Sequence, residues 1–185
     1  LDWIQLRGQH NISNVLAACA AAAAASLALP AIQSAVEDFT GVPHRLEFVR
    51  NVHGADWYND SIATAPERTL AALESFDSPL VLLLGGRDKD LPWEKLAELT
   101  HKRVRDVVLF GEAAELIQKA LGPIKPNESL QTITRCESLQ EAVQKAAELA
   151  REGDAVLLSP GGTSYDAFKD FEERGECFRQ WVNAL

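Results

Sequence analysis

The sequence predicts an α/β fold in which helices cover both faces of a mainly parallel, six-stranded sheet with an antiparallel hairpin at one edge. Two observations favour this class. After residue 41, short apolar stretches alternate with helix-forming stretches, and strands that alternate with helices favour a parallel sheet. Within that region, two strand-like stretches are separated only by His53-Gly54, which is typical of a tight antiparallel hairpin.

The first 40 residues are predicted to be helical and to belong to a different domain. Residues 11–29 should form one helix, because they include an unbroken alanine run from Ala20 to Ala25 and alanine has the highest helix propensity. Pro30 is expected to end that helix, and residues 31–39 can form a second one. Gly41-Val42-Pro43 breaks the pattern, so we place a domain boundary between residues 1–40 and 41–185.

The strands and helices of the second domain follow from apolar runs and helix-start signals. Six strands are predicted, at residues 45–52, 55–58, 80–84, 107–110, 131–134 and 155–158. Five helices are predicted, at residues 66–75, 92–100, 112–121, 138–151 and 172–182. Two of these helices follow the capping-box pattern, at Thr64-x-x-Glu67 and Ser138-x-x-Glu141, in which the hydroxyl caps the helix.

Composition excludes several classes of function. The net charge of −9, from 27 acidic and 18 basic residues, disfavours a nucleic acid partner, which needs clustered Lys and Arg. No apolar stretch suits a membrane span. Cys19, Cys136 and Cys177 are far apart, so we expect reduced thiols, no metal site and a cytoplasmic location. The chain does not begin with Met, and we expect it to start within a longer sequence.

Polar and glycine-rich loops follow four predicted strands. In open α/β sheets, ligands bind beyond the carboxyl ends of the strands, so this pattern predicts a small-molecule site. Each loop alone could instead serve only as a turn or a helix cap. A GxxxxGK[ST] phosphate loop, a GxGxxG motif and a GxSxG motif are all absent from the sequence. The four loops begin at Asn59, Gly85, Gly111 and Ser159.

Five short motifs, in this order, together resemble the Mur ligase family. They cover nearly the whole chain: Gly8-Gln9-His10-Asn11-x-x-Asn14, Pro43-His44-Arg45, Asn59-Asp60-Ser61-x-Ala63-Thr64, Leu84-Gly85-Gly86-x-x-Lys89, and Leu157-Leu158-Ser159-Pro160 leading to Ser164 and Asp166. Residues 164–178 closely resemble the branch of the family that adds glutamate to UDP-N-acetylmuramoyl-L-alanine.

The resemblance implies a three-domain enzyme of peptidoglycan synthesis. Residues 1–40 would end the central ATP-binding domain, and residues 41–185 would form the Rossmann-like third domain. The domain for the UDP-sugar and the phosphate loop would lie outside this chain, which is therefore expected to be inactive alone. ATP would phosphorylate the substrate carboxylate, and the glutamate amine would attack the acyl phosphate. Mg²⁺ would be bound mainly by the central domain, and the full-length enzyme is expected to be monomeric.

The resemblance also implies roles for individual residues, although it points to no catalytic residue and no metal ligand in this chain. An amide near adenine can donate and accept hydrogen bonds, a guanidinium fork suits phosphates, and an acidic side chain suits ribose hydroxyls. The implied ATP-binding residues are Asn11 and Asn14 near the adenine, Arg45 at the phosphates and Asp60 at the ribose. The implied glutamate-binding residues are Thr64, Lys89, Ser164 and Phe171, the last through its backbone N–H.

One departure from the family pattern concerns the amino acid. The glutamate-adding branch usually has lysine where this chain has Ile62, and Arg87 and Lys89 are the nearest replacement cations by sequence. D-Glutamate is the expected substrate, with an L-glutamate-adding subgroup as the alternative. Three more interpretations stay open: a folylpolyglutamate synthase, a ligase for a diamino acid, whose Asp-Asn-Pro-Arg motif is absent, and a non-catalytic nucleotide-binding module.

Overall fold

The computed structural model describes residues 3–4, 6 and 8–185, without the side chains of residues 9 and 10. The chain divides into two compact units, Leu1–Pro43 and His44–Leu185. The division falls directly after the Gly41-Val42-Pro43 break in the sequence.

The first unit contains two helices, α1 (Gln9–Ala24) and α2 (Leu29–Asp38). The predicted end of the first helix at residue 29 is wrong, because α1 ends at Ala24 and Ser26 has a left-handed backbone (φ 63°). Pro30 does not end a helix but lies in the first turn of α2. Proline is favoured there, since a first-turn N–H has no partner within the helix and the fixed φ of the ring already suits it.

The second unit contains six strands and five helices, as predicted, with bounds within three residues of the expected ones. In chain order they are β1 (Glu47–Val52), β2 (Ala55–Asn59), α3 (Pro66–Leu73), β3 (Leu80–Gly85), α4 (Glu94–Arg103), β4 (Val104–Phe110), α5 (Ala114–Leu121), β5 (Thr132–Arg135), α6 (Leu139–Leu149), β6 (Ala155–Gly161) and α7 (Phe171–Asn183).

The six strands form one sheet in the order β1-β2-β6-β3-β4-β5. The first pair is antiparallel and all the others are parallel, which confirms the predicted sheet and its edge hairpin. The last strand, β6, returns to lie between β2 and β3. The carboxyl ends of these three strands are therefore neighbours, although their loops are far apart in sequence.

Helices pack on both faces of the sheet, as predicted. The side chains of β3 alternate between the faces: Leu82 and Leu84 join the core under α3, α4 and α5, whereas Val81 and Leu83 join the core under α6 and α7. All six residues of β3 are buried, as expected for a central parallel strand covered on both sides. This double core makes the sheet a firm support for the loops at its edge.

The two predicted capping boxes behave differently. Ser138 caps α6, since its side chain accepts a hydrogen bond from the Glu141 N–H. The box at Thr64 is wrong: the N-cap of α3 is Ala65, and no side chain caps that helix. Pro66 at the first helical position removes one N–H that would otherwise need a cap, so the Thr64 hydroxyl is available for another contact.

No helix among the described residues is long and apolar enough to cross a membrane.

Candidate functional site

Three polar loops meet at the carboxyl edge of the sheet, where β2, β6 and β3 end. Arg87 and Thr163, in the loops after β3 and β6, each donate a backbone N–H to the carbonyl oxygen of the other, both at 2.8 Å. The Asp60 N–H, after β2, donates to the Leu158 carbonyl of β6 at 2.7 Å. These backbone bonds hold the three loops side by side.

The approach of two of these loops requires a glycine. Gly86 has a φ of +90°, and a Cβ atom there would collide with the Thr163 carbonyl oxygen. Its backbone also lies in a region that residues with a Cβ rarely adopt. The Gly85-Gly86 pair of the sequence motif therefore brings the loop that carries Lys89 against the loop that carries Ser164.

Asp60 is a buried acid at the centre of this edge. Its Oδ2 accepts a hydrogen bond from the Ser159 hydroxyl (2.8 Å), and its Oδ1 accepts one from the Leu46 N–H (3.2 Å). Burial raises the pKa of the Asp60 carboxyl from 3.8 to about 7, while these two hydrogen bonds and the charges of Arg45 and Arg68 oppose the rise. A folded protein keeps so costly a carboxyl mainly where its chemistry is used.

Thr64 and Lys89 form a polar contact between the loops after β2 and β3. The Lys89 ammonium donates to the Thr64 hydroxyl at 3.3 Å, and Lys89 is exposed. The hydroxyl thus contacts a cation instead of capping α3. An exposed ammonium beside a hydroxyl can hold a carboxylate, because both groups donate hydrogen bonds.

Ser164 and Phe171 lie in the loop after β6 and at the start of α7, respectively. Ser164 is buried, and its carbonyl oxygen accepts bonds from the N–H groups of Ala167 and Phe168. Phe171 is the first residue of α7, and Asp170 caps that helix by accepting from the Glu173 N–H at 2.8 Å. N–H groups in the first turn of a helix lack partners within the helix and favour anions, so the Phe171 N–H suits a carboxylate.

Arg174, which the sequence analysis did not single out, holds these loops together through buried hydrogen bonds. Its guanidinium donates to Ser61 Oγ (3.0 Å), to the Ser61 carbonyl (2.8 Å) and to the Gly162 carbonyl (3.1 Å). The Ser61 hydroxyl in turn donates to the Phe171 carbonyl at 2.8 Å. One fully buried side chain of α7 therefore fixes the loops after β2 and β6 and the start of its own helix.

His44 lies in a second buried polar cluster, in which its tautomer can be assigned. The Asn59 Oδ1 accepts from the Ser61 N–H (3.2 Å), so the amide Nδ2 is the atom 3.0 Å from His44 Nδ1. An amide nitrogen only donates, so Nδ1 accepts, and in the neutral ring the proton is on Nε2. The close approach of α7 depends on Gly175, where a Cβ would collide with His44 Nδ1.

The remaining residues implied by the resemblance lie in two places. Arg45 is exposed, and its guanidinium is near enough to Asp60 for its charge to lower the pKa of that carboxyl. Asn11 and Asn14 lie on α1 in the first unit, where the Asn14 amide donates to Asn11 Oδ1 at 3.4 Å. The second unit thus brings together Arg45, Asp60, Thr64, Lys89, Ser164 and Phe171, and the two asparagines are described within the first.

A family model described as "Mur ligase, glutamate ligase domain" matches residues 44–162 of the chain, which include most of the second unit. The chain belongs to the Mur ligase family.

Proteins named UDP-N-acetylmuramoylalanine–D-glutamate ligase are similar to the whole of this Mur ligase chain. The relative from Roseiflexus sp. is 45% identical over 185 residues, and the one from Symbiobacterium thermophilum is 44% identical over 191 residues. Both alignments cover 100% of this chain, but only 39% and 40% of the relatives. The chain therefore spans about two fifths of the length of these relatives.

Solved structures show the same Mur ligase fold. The UDP-N-acetylmuramate-alanine ligase of Thermotoga maritima superposes with a TM-score of 0.70 at 17% identity, covering 98% of this chain and 39% of that one. Folylpolyglutamate synthase of Mycobacterium tuberculosis also gives a TM-score of 0.70, at 18% identity, covering 96% of this chain and 41% of that one. Because these two scores are equal, the fold alone does not separate a Mur ligase from a folylpolyglutamate synthase.

Arg87, one of the two cations that the sequence analysis named as replacements for the lysine expected at Ile62, is paired within the chain. Its guanidinium forms a two-pronged pair with Glu112, at 2.8 and 3.0 Å. This pair lowers the pKa of the Glu112 carboxyl. The pairing joins residues 25 positions apart, so no local sequence signal could have predicted it.

Proposed function

We propose that the full-length protein is an ATP-dependent ligase that joins glutamate, and specifically D-glutamate, to UDP-N-acetylmuramoyl-L-alanine in the cytoplasm. The products would be the amide, ADP and phosphate. The main support is that relatives with 41–45% identity over the whole chain are named as ligases of this kind. The proposal covers the whole enzyme, of which this chain is one part.

The part of the reaction assigned to this chain is positioning. Lys89, Thr64, Ser164 and the first turn of α7 would bind the two carboxylates of the amino acid, leaving its amine to attack the carbonyl carbon of the acyl phosphate. That attack forms the C–N bond, releases phosphate and frees a proton from the amine. Fixing the nucleophile at the right distance and angle can supply much of the rate enhancement of such a step.

The ATP-facing residues would be Arg45, Asp60, Asn11 and Asn14. The exposed Arg45 guanidinium fits phosphate oxygens, and the Asp60 carboxyl fits ribose hydroxyls, because its oxygens accept hydrogen bonds. Mg²⁺ would be bound mainly by the central domain, and no step is assigned to it here.

The deciding assay supplies full-length enzyme with ATP and UDP-N-acetylmuramoyl-L-alanine, and measures phosphate release and product mass with each glutamate enantiomer separately. The proposal predicts turnover with D-glutamate that depends on both other substrates. Turnover with L-glutamate alone would assign the enzyme to the L-glutamate-adding subgroup. Turnover with neither enantiomer but with a diamino acid, or ligation of glutamate to a folate instead of the UDP-sugar, would contradict the proposal.

A further inference from the structure

The loop after β2 contains isoleucine at the position where the glutamate-adding branch usually has lysine. Ile62 N–H donates to the His44 carbonyl at 3.1 Å, which anchors the residue to the rest of the edge. The Ile62 carbonyl accepts from the Thr64 N–H at 2.9 Å and from the Arg68 guanidinium at 3.2 Å. The turn that carries Thr64 is therefore bonded directly to a second cation.

Three other arginines lie near this edge among the described residues: Arg45 is the one assigned to the ATP phosphates, and the other two are engaged within the chain. Arg87 is paired with Glu112 through two hydrogen bonds, and Arg174 is fully buried with its three donors on Ser61 and Gly162. Neither can turn towards an incoming carboxylate without breaking these bonds. Lys89 reaches the Thr64 hydroxyl and stays exposed, so it can supply only one cationic contact.

Arg68 differs from Arg87 and Arg174 in its position and in its hydrogen bonding. It lies in the first turns of α3, is exposed, and uses Nη1 for the Ile62 carbonyl. A guanidinium has five N–H donors, so this bond leaves others for a ligand. Its bond to the Ile62 carbonyl places the guanidinium beside the loop after β2, and its charge is near enough to Asp60 to lower the pKa of that buried carboxyl.

We propose that Arg68 is a specificity-determining residue that binds a carboxylate of the acidic amino acid together with Lys89, in the place of the lysine missing at Ile62. The inference rests on the proposed function and names the residue that completes its amino-acid site. Both cations contact the turn that carries Thr64. Lys89 donates to the Thr64 hydroxyl, and Arg68 donates to the Ile62 carbonyl, which also accepts from the Thr64 N–H. An arginine fork also matches a carboxylate in a two-pronged geometry that lysine lacks.

The test compares three substitutions of Arg68 in the full-length enzyme by steady-state kinetics, with each substrate varied in turn. Arg68→Ala removes the charge and the bond to Ile62, Arg68→Gln keeps a donor for that bond without the charge, and Arg68→Lys keeps the charge. We expect Ala and Gln to raise the KM for glutamate about 10- to 100-fold, the effect of one lost charge-assisted hydrogen bond. Arg68→Lys should raise the KM for glutamate much less. In all three variants, the KM values for ATP and the UDP-sugar should change less than about threefold.

Two further variants make the test specific. Arg87→Ala removes an equal charge from the same edge and should leave the KM for glutamate within about threefold of the original, because Arg87 is already paired. Adding Ile62→Lys to Arg68→Ala should restore much of the lost glutamate affinity. Thermal unfolding of each variant checks that the exposed substitutions leave the fold intact.

The outcomes separate this inference from the proposed function. Wild-type enzyme that ligates glutamate, together with Arg68→Gln kinetics like those of the wild type, would overturn the role of Arg68 and leave the proposed function standing. A rise in the KM for ATP as large as that for glutamate would overturn it as well. Wild-type enzyme that ligates no glutamate would contradict the proposed function itself.

Discussion

Replacing Arg174 with methionine should destabilise the second unit and disorder the candidate amino-acid site. Among the described residues, no carboxylate lies within hydrogen-bond distance of Arg174, whose three bonds go to Ser61 and Gly162. Methionine fills similar space but cannot donate a hydrogen bond. The Ser61 and Gly162 carbonyls would then lose a buried donor, and the loops after β2 and β6 would lose their common anchor.

Two opposing terms set the magnitude. Burial lowers the pKa of the Arg174 guanidinium to about 10, so keeping the charged form buried costs the folded state about 3 kcal/mol at neutral pH. Three hydrogen bonds from a charged donor contribute about 5–9 kcal/mol. The bonds outweigh the desolvation cost, so Arg174→Met should reduce the free energy of unfolding by about 2–6 kcal/mol, a large share of the stability of an ordinary domain.

Urea and thermal unfolding of the 185-residue chain would measure this loss. Arg174→Lys should recover only a small part of it, because one ammonium cannot reach three acceptors spread over two loops. Arg87→Met is the control, since an exposed arginine pair contributes little to stability. A midpoint for Arg174→Met equal to that of the control would refute the idea that Arg174 holds the loops together.

Two further predictions concern Asp60 and Lys89. The pKa of Asp60 is raised from 3.8 to about 7 in the folded state, so its contribution to stability is fully present below pH 3.8 and is lost as the pH rises through 7, by up to about 4 kcal/mol. Asp60→Asn should therefore gain stability relative to the wild type as the pH rises from about 4 to about 8. Urea unfolding of both proteins across that range measures this gain. Parallel curves of unfolding free energy against pH would show that the pKa of the carboxyl is not raised. In the full-length enzyme, Lys89→Ala should raise the KM for glutamate about 10- to 100-fold while the KM for ATP stays nearly unchanged. A rise in the KM for ATP alone would show that Lys89 is misassigned.

The strands of this chain could be predicted because each follows from a local pattern. The apolar run 80–84 predicts a doubly covered central strand, and His53-Gly54 predicts the hairpin, both of which the structure has. The end of α1 could not be predicted, because alanine favours helix throughout residues 20–25 and nothing local marks the turn at Ser26. Thr64 matches a helix cap in sequence, but its hydroxyl contacts Lys89, 25 positions away.

The connections within the candidate site could not be predicted in the same way. Arg174 contacts Ser61 across 113 positions, and Arg87 contacts Glu112 across 25. The Arg174 bonds that link the loops after β2 and β6 depend on the return of β6 next to β2, which the order of elements in the sequence does not specify. The Arg87–Glu112 pair joins the loops after the neighbouring strands β3 and β4. The only sequence signal for Arg174 is its place in the stretch 164–178 that resembles the glutamate-adding branch.

The most direct test of the central proposal is a crystal structure of the full-length enzyme with ADP and the product UDP-N-acetylmuramoyl-L-alanyl-D-glutamate. We predict that the glutamyl carboxylates lie within hydrogen-bond distance of Lys89, Thr64 and Ser164, and that the ADP ribose lies against Asp60. A glutamyl group bound away from the carboxyl edge of β2, β6 and β3 would contradict the proposed site, whatever the measured activity.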